Sequence, residues 1–270
     1  MMKLSVIHWS DLHFAGKVPR EGELSPALAV ELAVEAINRD YAETEFVLLL
    51  SGDVTTGGDA SGYADALVAL RAARADLSLS EIVVCPGNHD TAKVHPRSFT
   101  EFNQFAFQLT RKAIQTWSFE NPVCTVVNGD YAFLAVNTAF EGDYSYGSAP
   151  LRQLRAALTA SRERHQIVVF HHSPISAKYA GGGMKDAYDL LALISEFDVS
   201  AVLHGHVHSN QGLRFGSSGS LLFGAGSLGF KPEGNMNNQF AIHEFTDGEA
   251  TSTRVYRYYR NENTFLGEDR

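Results

Sequence analysis

Short runs of β-branched and long apolar residues alternate along the first third of the chain with longer segments whose apolar positions recur at three- and four-residue spacing. The first run, residues 4–8, predicts a buried strand. Ser25-Pro26 then offers an N-cap with proline at the first helical position, ahead of a helix over 27–39. Residues 46–50 predict a second strand, 63–75 an Ala/Leu-rich helix, and 82–85 a third strand that stops at Pro86-Gly87. Strand, helix, strand, helix, strand implies parallel pairing through crossover helices.

The pattern then changes. Residues 96–117 read as a helical stretch dense in phenylalanine (Phe99, Phe102, Phe105, Phe107), packed as an ordinary helix or lying as a cap over the strand ends. Two apolar runs, 123–127 and 131–136, flank Asn128-Gly129, a hairpin signal. Alternation resumes with a helix over 151–164, a strand at 167–170, a helix over 185–197 and a strand at 199–203. The remainder (212–215, 220–223, 239–245 and 251–259) predicts short strands on glycine-rich turns that close a second sheet. Without a repeat or a low-complexity linker, the expectation is a single domain over 1–270.

Composition narrows this picture. A hydrophobic content of 44% is ample for a packed core. The formal charge of -9, from 31 acidic and 22 basic residues, argues against strong non-specific binding to nucleic acid or to an anionic membrane. Cys85 and Cys124 lie in apolar contexts and do not suggest a disulfide framework, which points to a reduced, cytoplasmic compartment. The opening residues lack the h-region of a signal peptide and no apolar run could span a bilayer, so a soluble protein without a membrane partner is expected. Nothing in the pattern specifies an oligomer.

Five polar clusters follow apolar runs: Asp11-Leu12-His13, Gly52-Asp53, Gly87-Asn88-His89-Asp90, His171-His172, and His204-Gly205-His206-Val207-His208. In βαβ sheets the carboxyl ends of strands gather on one edge, so clusters far apart in sequence can converge. Asp11, His13, Asp53, Asn88, His171, His206 and His208 form a mixed carboxylate, imidazole and amide set suited to borderline divalent metals. The set exceeds what one ion needs once water is counted, and two ions sharing a bridging carboxylate is the economical arrangement. His8 and His204 lie within strands and read as hydrogen-bonded core residues.

Asp-x-His, Gly-Asp, Gly-Asn-His-Asp, a His before Ser-Pro, and Gly-His-x-His, in this order from Asp11 to His208, resemble the calcineurin-like metallophosphoesterases. The resemblance implies an α/β (α+β) fold, a four-layer α-β-β-α sandwich of two mixed sheets flanked by helices. It implies that Asp11, His13, Asp53 and His208 hold one metal while Asp53, Asn88, His171 and His206 hold the other, with Asp53 bridging. Mn is the first expectation for the two ions, and Fe or Zn would accept the same ligands. Two ions about 3.5–4 Å apart acidify a bridging water to hydroxide and hold phosphorus for in-line attack. His89, next to Asn88, is left to reach the leaving-group or an equatorial oxygen as general acid or electrostatic stabiliser, with Asp90 orienting it or capping the turn. His172 is assigned no ligand role.

Within the family, Ser51-Gly52-Asp53-Val54-Thr55 and Pro86-Gly87-Asn88-His89-Asp90 look like the bacterial class III cyclic-nucleotide phosphodiesterase branch. Protein Ser/Thr phosphatases instead continue Gly-Asp into a longer pattern with an arginine and follow Asn-His with Glu. The diesterase branch often has an arginine after Asn-His-Asp, where this chain has Thr91-Ala92-Lys93. The implied function is hydrolysis of a small, nucleotide-type phosphodiester, with a phosphomonoesterase or nuclease using the same metals as the alternative. A scaffold without turnover belongs to a different class, and the intact ligand set argues against it. Lys93, His95 and Arg97 are candidate cations for substrate phosphate or solvated loop residues, and Gly181-Gly182-Gly183 reads as a rim loop or a loose connection.

Overall fold

The computed structural model describes residues 2–15, 24–91, 98–113, 115–139, 146–175, 183–216, 219–230 and 237–270. Its first part alternates as the apolar pattern requires: β1 (Lys3–Trp9), α1 (Pro26–Asp40), β2 (Phe46–Leu50), α2 (Ala60–Asp76) and β3 (Leu79–Val84). The three strands pair parallel. These two helices start where a side-chain oxygen takes up an orphaned amide. Ser25 Oγ accepts from Leu28 N–H at 3.2 Å with Pro26 opening α1, and Asp59 Oδ1 accepts from Gly62 N–H at 2.9 Å ahead of α2.

After α3 (Thr100–Thr110), β4 (Val123–Asn128) and β5 (Tyr131–Val136) form the antiparallel hairpin. Then follow α4 (Leu151–Ala160), β6 (His165–Phe170), α5 (Ala187–Glu196), β7 (Ala201–His204), β8 (Gln211–Phe215), β9 (Ser220–Gly224), β10 (Gln239–Thr246), β11 (Glu249–Tyr259) and β12 (Thr264–Asp269). One six-stranded sheet runs β12-β11-β10-β1-β2-β3 and the other β4-β5-β6-β7-β9-β8.

Four differences from the sequence expectations have local causes. Only β8 and β9 join the second sheet. β10 to β12 return to the first, because β10 pairs antiparallel with the side of β1 that β2 leaves open. Hydropathy reports that a strand is buried, not which neighbour buries it. The helical stretch 96–117 is helical only over Thr100–Thr110, ending at Arg111 in the left-handed region with φ 61°. Helix 151–164 stops at Ala160, where Ser161 Oγ turns back to donate to the Ala157 carbonyl. In the hairpin, Asn128 still pairs with Tyr131, so the turn is Gly129-Asp130, with Gly129 at φ 57°.

Phe102 and Phe105 pack their rings 6.1 and 5.1 Å from Tyr63 of α2, while Phe107 faces solvent. Lys93, His95, Arg97, Gly181 and Gly182 lie outside the described residues. Cys85 and Cys124 are both free and buried. Among the described residues no helix is long and apolar enough to cross a membrane.

The two-residue period of the strands divides the core. On the second sheet Phe133, Ala135, Ile167, Val169, Leu203 and Phe223 face the first sheet, while Leu134, Val136, Val168, Phe170 and Val202 face α4 and α5. Residues of α1, α2 and α3 cover the far side of the first sheet, which completes four layers. Leu203→Ala, fully buried between the sheets, should lower stability by about 2–5 kcal/mol. Leu213→Ala on the exposed rim of β8 should stay within about 0.5 kcal/mol. Urea midpoints compare the two, and equal shifts would contradict this assignment of the core.

Candidate metal centre

β1, β2 and β3 run into Asp11, Asp53 and Asn88, while β6 and β7 run into His171 and His206-Val207-His208. Parallel pairing places these carboxyl ends on one edge of each sheet, and the cluster straddles the seam between the sheets. Backbone bonds tie the loops together. Asp11 N–H donates to Gly52 O and His13 N–H to Asp53 O, each at 3.0 Å. Gly205 N–H donates to His171 O at 3.0 Å, and His171 Nδ1–H crosses the seam to the Ser51 carbonyl at 2.9 Å.

Five of the seven sequence-nominated ligands, Asp11, His13, Asp53, His206 and His208, sit at positive φ, from 52° to 73°. Asp and His are among the few non-glycine types that tolerate this region, at a cost of about 1–3 kcal/mol each. Such strain persists only where the surroundings over-determine it. Two glycines show how tight those surroundings are. A Cβ on Gly87 would lie 2.2 Å from Asp53 Oδ1, and one on Gly52, itself at φ 108°, would lie 2.5 Å from His171 Nδ1.

The two carboxylates are built alike. Asp11 Oδ2 accepts from Ser10 Oγ–H at 2.6 Å and from His206 N–H at 3.1 Å. Its Oδ1 faces Nε2 of His208 at 3.0 Å, His13 at 3.8 Å and His171 at 3.9 Å. Asp53 Oδ1 accepts from His89 N–H at 2.8 Å, while its Oδ2 faces Nε2 of His171 at 3.1 Å, His13 at 3.6 Å and His89 at 4.0 Å. Each group therefore commits one oxygen to protein donors and turns the other to the imidazoles. The His206 ring lies 5.2 Å from that of His171 and 4.7 Å from that of His172, and His172 Nδ1 lies 2.8 Å from Thr138 Oγ1.

Burial would raise the Asp11 carboxyl, but His208, His13 and His171 hold it well below the usual range. Burial likewise opposes ionisation of Asp53, and His171, His13 and His89 outweigh it and lower the carboxyl. Burial disfavours the charged His171, yet Asp53 and Asp11 push it up to about 9, and Asp11 raises His208 in the same way. The site calls for positive charge.

Both ring nitrogens of His13, Nε2 of His171 and Oδ1 of Asn88 are buried without a hydrogen-bond partner. Buried polar atoms in that condition are costly, and a bound cation would take one lone pair from each of these groups. A carbonyl can only accept, so Nδ1 of His171 keeps its proton and Nε2 is the atom that a cation would take, in place of the proton the carboxylates hold there. Two groups with ligand atoms within 4.8 Å of one another stand out, Asp11, His13 and His208, and Asp11, Asp53 and His171. The residues fit a divalent metal centre.

His89, next to buried Asn88, donates Nδ1–H to Thr56 O at 2.9 Å and turns Nε2 to the cluster with its side chain 25% exposed. Asp90 is a buried brace. It accepts from Val54, Thr55 and Gly87 N–H at 3.2, 3.1 and 2.9 Å and from Tyr63 Oη–H at 3.1 Å. Burial and the nearby Asp53 charge push it up to about 6 against those bonds. His204 is buried and stacked on Phe170, and burial lowers it to about 4. Motif reading missed Ser10, Ser51 and Phe230. The adjacency of Ser10 to Asp11 was a signal for the first. Nothing in the sequence marks Phe230, whose ring lies 4.6 Å from His13 and 4.9 Å from His208 with 37% of the residue exposed.

A model of the calcineurin-like phosphoesterases matches residues 4–210, and no curated protein matches the chain. Among solved structures, a purple acid phosphatase from yellow lupin (Lupinus luteus) seeds superposes with a TM-score of 0.63 at 14% identity, over 99% of this chain and 53% of that one. GAP50, the anchor in the inner membrane complex of Plasmodium, gives 0.62 at 13% identity over 99% and 88%. A 5'-nucleotidase precursor from Thermus thermophilus gives 0.55 at 14% identity over 99% and 54%. The chain spans about half the length of the phosphatase and nucleotidase chains. At such identities the likeness is one of fold. A phosphatase and an anchor share that fold, so it does not by itself specify chemistry. The family match covers most of the chain, including all five strand-end motifs, and the chain belongs to the calcineurin-like phosphoesterases.

Proposed function

We propose that the chain is a dinuclear phosphodiesterase acting on a nucleotide-type phosphoester, with Asp11, His13, Asp53, Asn88, His171, His206 and His208 as ligands, Asp53 as the bridge and His89 at the reacting phosphate. The observation that carries this reading is the pairing of the carboxylates, each holding one oxygen on protein donors and offering the other to the imidazole cluster. Two divalent cations held there, manganese first, would supply an activated water and neutralise phosphoryl oxygens. Asp53 Oδ2 faces both His13 and His171, which supports its reading as the bridge.

His89 is oriented by its bond to Thr56 O, which reserves Nδ1 as a donor. Neutral His89 therefore presents a lone pair at Nε2, and only the imidazolium can donate a proton from that atom. His89 serves as general acid in its cationic form and as an electrostatic stabiliser in the same position. Phe230 gives the rim an exposed aromatic face beside His13 and His208, which supports an organic, nucleoside-like group on the phosphate.

The discriminating assay is hydrolysis of bis-p-nitrophenyl phosphate against p-nitrophenyl phosphate after chelation and return of Mn. Activity should vanish on chelation, return with Mn and favour the diester. A monoester preference would move the assignment to a phosphomonoesterase, activity in the metal-free protein would remove the metal mechanism, and no activity on either ester would favour a scaffold. In metal analysis, Asp53→Ala should deplete both ions and Asp11→Ala should spare one. Two tightly held ions in Asp53→Ala would refute the bridge. His89→Asn should keep its metals yet lower turnover by about 10²–10⁴-fold on esters with poor leaving groups, with a smaller loss on nitrophenyl esters. Equal losses on both ester classes would instead identify charge stabilisation.

A further inference from the structure

Beneath the centre, on its buried side, a line of hydrogen bonds crosses the first sheet. Thr253 Oγ1 on β11 lies 3.0 Å from His243 Nδ1 on β10, and His243 Nε2 lies 3.3 Å from His8 Nδ1 on β1. His8 Nε2 lies 2.9 Å from Ser51 Oγ, and the Ser51 carbonyl accepts from His171 Nδ1 at 2.9 Å. Both imidazoles of the line are wholly buried under Phe223 of the second sheet, with ring centroids 6.4 and 4.8 Å from it. Burial holds both neutral. A neutral imidazole has one donor and one acceptor, so each ring uses both nitrogens within the line.

Apolar side chains would fill this part of the core without the cost of desolvating two imidazoles. What apolar residues cannot do is hold Ser51, and Ser51 is the node of the site. Its N–H donates to Trp9 O at 3.0 Å, its carbonyl holds His171, and its hydroxyl meets His8. It is joined through Gly52 to Asp53, and Gly52 itself leaves no slack against the His171 ring. A displacement at Ser51 therefore moves His171 and Asp53 together.

We propose that His8 and Ser51 are positioning residues for the metal centre, the buried His243–His8 pair fixing Ser51 so that its carbonyl sets the ring of His171 with Nε2 toward Asp53. The proposal rests on the reading of His171 and Asp53 as ligands. Neither positioning residue touches substrate. They act by pre-setting the angle and tautomer of one ligand and the loop of another.

The test is Mn(II) affinity of the full chain, measured by chelator competition with free Mn followed by electron paramagnetic resonance. His8→Phe and Ser51→Ala should each weaken binding by about 10–100-fold. The double variant should be no weaker than either single one, because both remove the same bond. His8→Gln, which keeps an amide to reach Ser51 Oγ, should recover most of the loss, a rescue that a general loss of packing would not give. Long-range proton–nitrogen spectra of the metal-free protein should show His171 protonated at Nδ1 in the wild type and a shifted signal in Ser51→Ala, which removes few atoms and carries the test if His8→Phe does not fold. Wild-type affinity in the single variants, additive losses in the double, or a His8→Gln as weak as His8→Phe would overturn the proposal. His171→Ala separates the two levels. If it binds Mn like the wild type, the ligand reading falls, whereas a weakened His171→Ala beside an unaffected Ser51→Ala refutes the positioning role alone.

Discussion

Two ionised carboxylates buried side by side are the constraint on which the site depends. Asp11 is fully buried and Asp53 is 2% exposed, and their ion-pair partners among the described residues are all imidazoles. Buried charge of one sign is costly unless paired and hydrogen-bonded. The chain answers with donors on one oxygen of each carboxylate and with histidines gathered around the other. Without cations, His171 is pushed up to about 9 and supplies part of the missing charge. Binding of metal at these atoms would displace that proton, so occupancy and proton release are coupled.

The position of this charge at the seam of two sheets explains the local strain. Five candidate ligands occupy left-handed backbone, each at an energetic cost that its surroundings must offset. Here the loops are fastened to strands whose interiors are largely apolar, and to each other by backbone bonds such as Asp11 N–H to Gly52 O and Gly205 N–H to His171 O. Stability from the inter-sheet core thus offsets the strain of holding side chains in a geometry that the chain would not adopt locally. Asp90, braced by three backbone amides and Tyr63, does the same for the turn that carries Asn88 and His89.

The same architecture underlies a phosphatase and an anchor protein among the structures similar to this one, so function resides in the donor set. Here the candidate donors stand at the strand ends, with an imidazole turned toward the cluster and an aromatic rim. The buried line from Thr253 to His171 extends it into the core and makes part of what would be packing into a scaffold for one ligand.

The sequence alone determined the parallel βαβ start, the helix cap at Ser25, the hairpin at 123–136, and the clusters from Asp11 to His208. Apolar periodicity, capping chemistry and residue type act over a few neighbouring residues and are legible there. Tertiary structure decided the rest. It returned β10 to β12 to the first sheet, chose which oxygen of each carboxylate faces the imidazoles, and placed Phe230 at the rim. It also turned His8, in sequence an ordinary strand histidine, into a link between His243 and Ser51. These outcomes depend on contacts between residues as far apart as His8 and His243, 235 positions, and no local pattern specifies which buried group will meet which. A hydrogen bond of that kind is fixed only when the sheets have paired and burial has left each polar atom a single available partner.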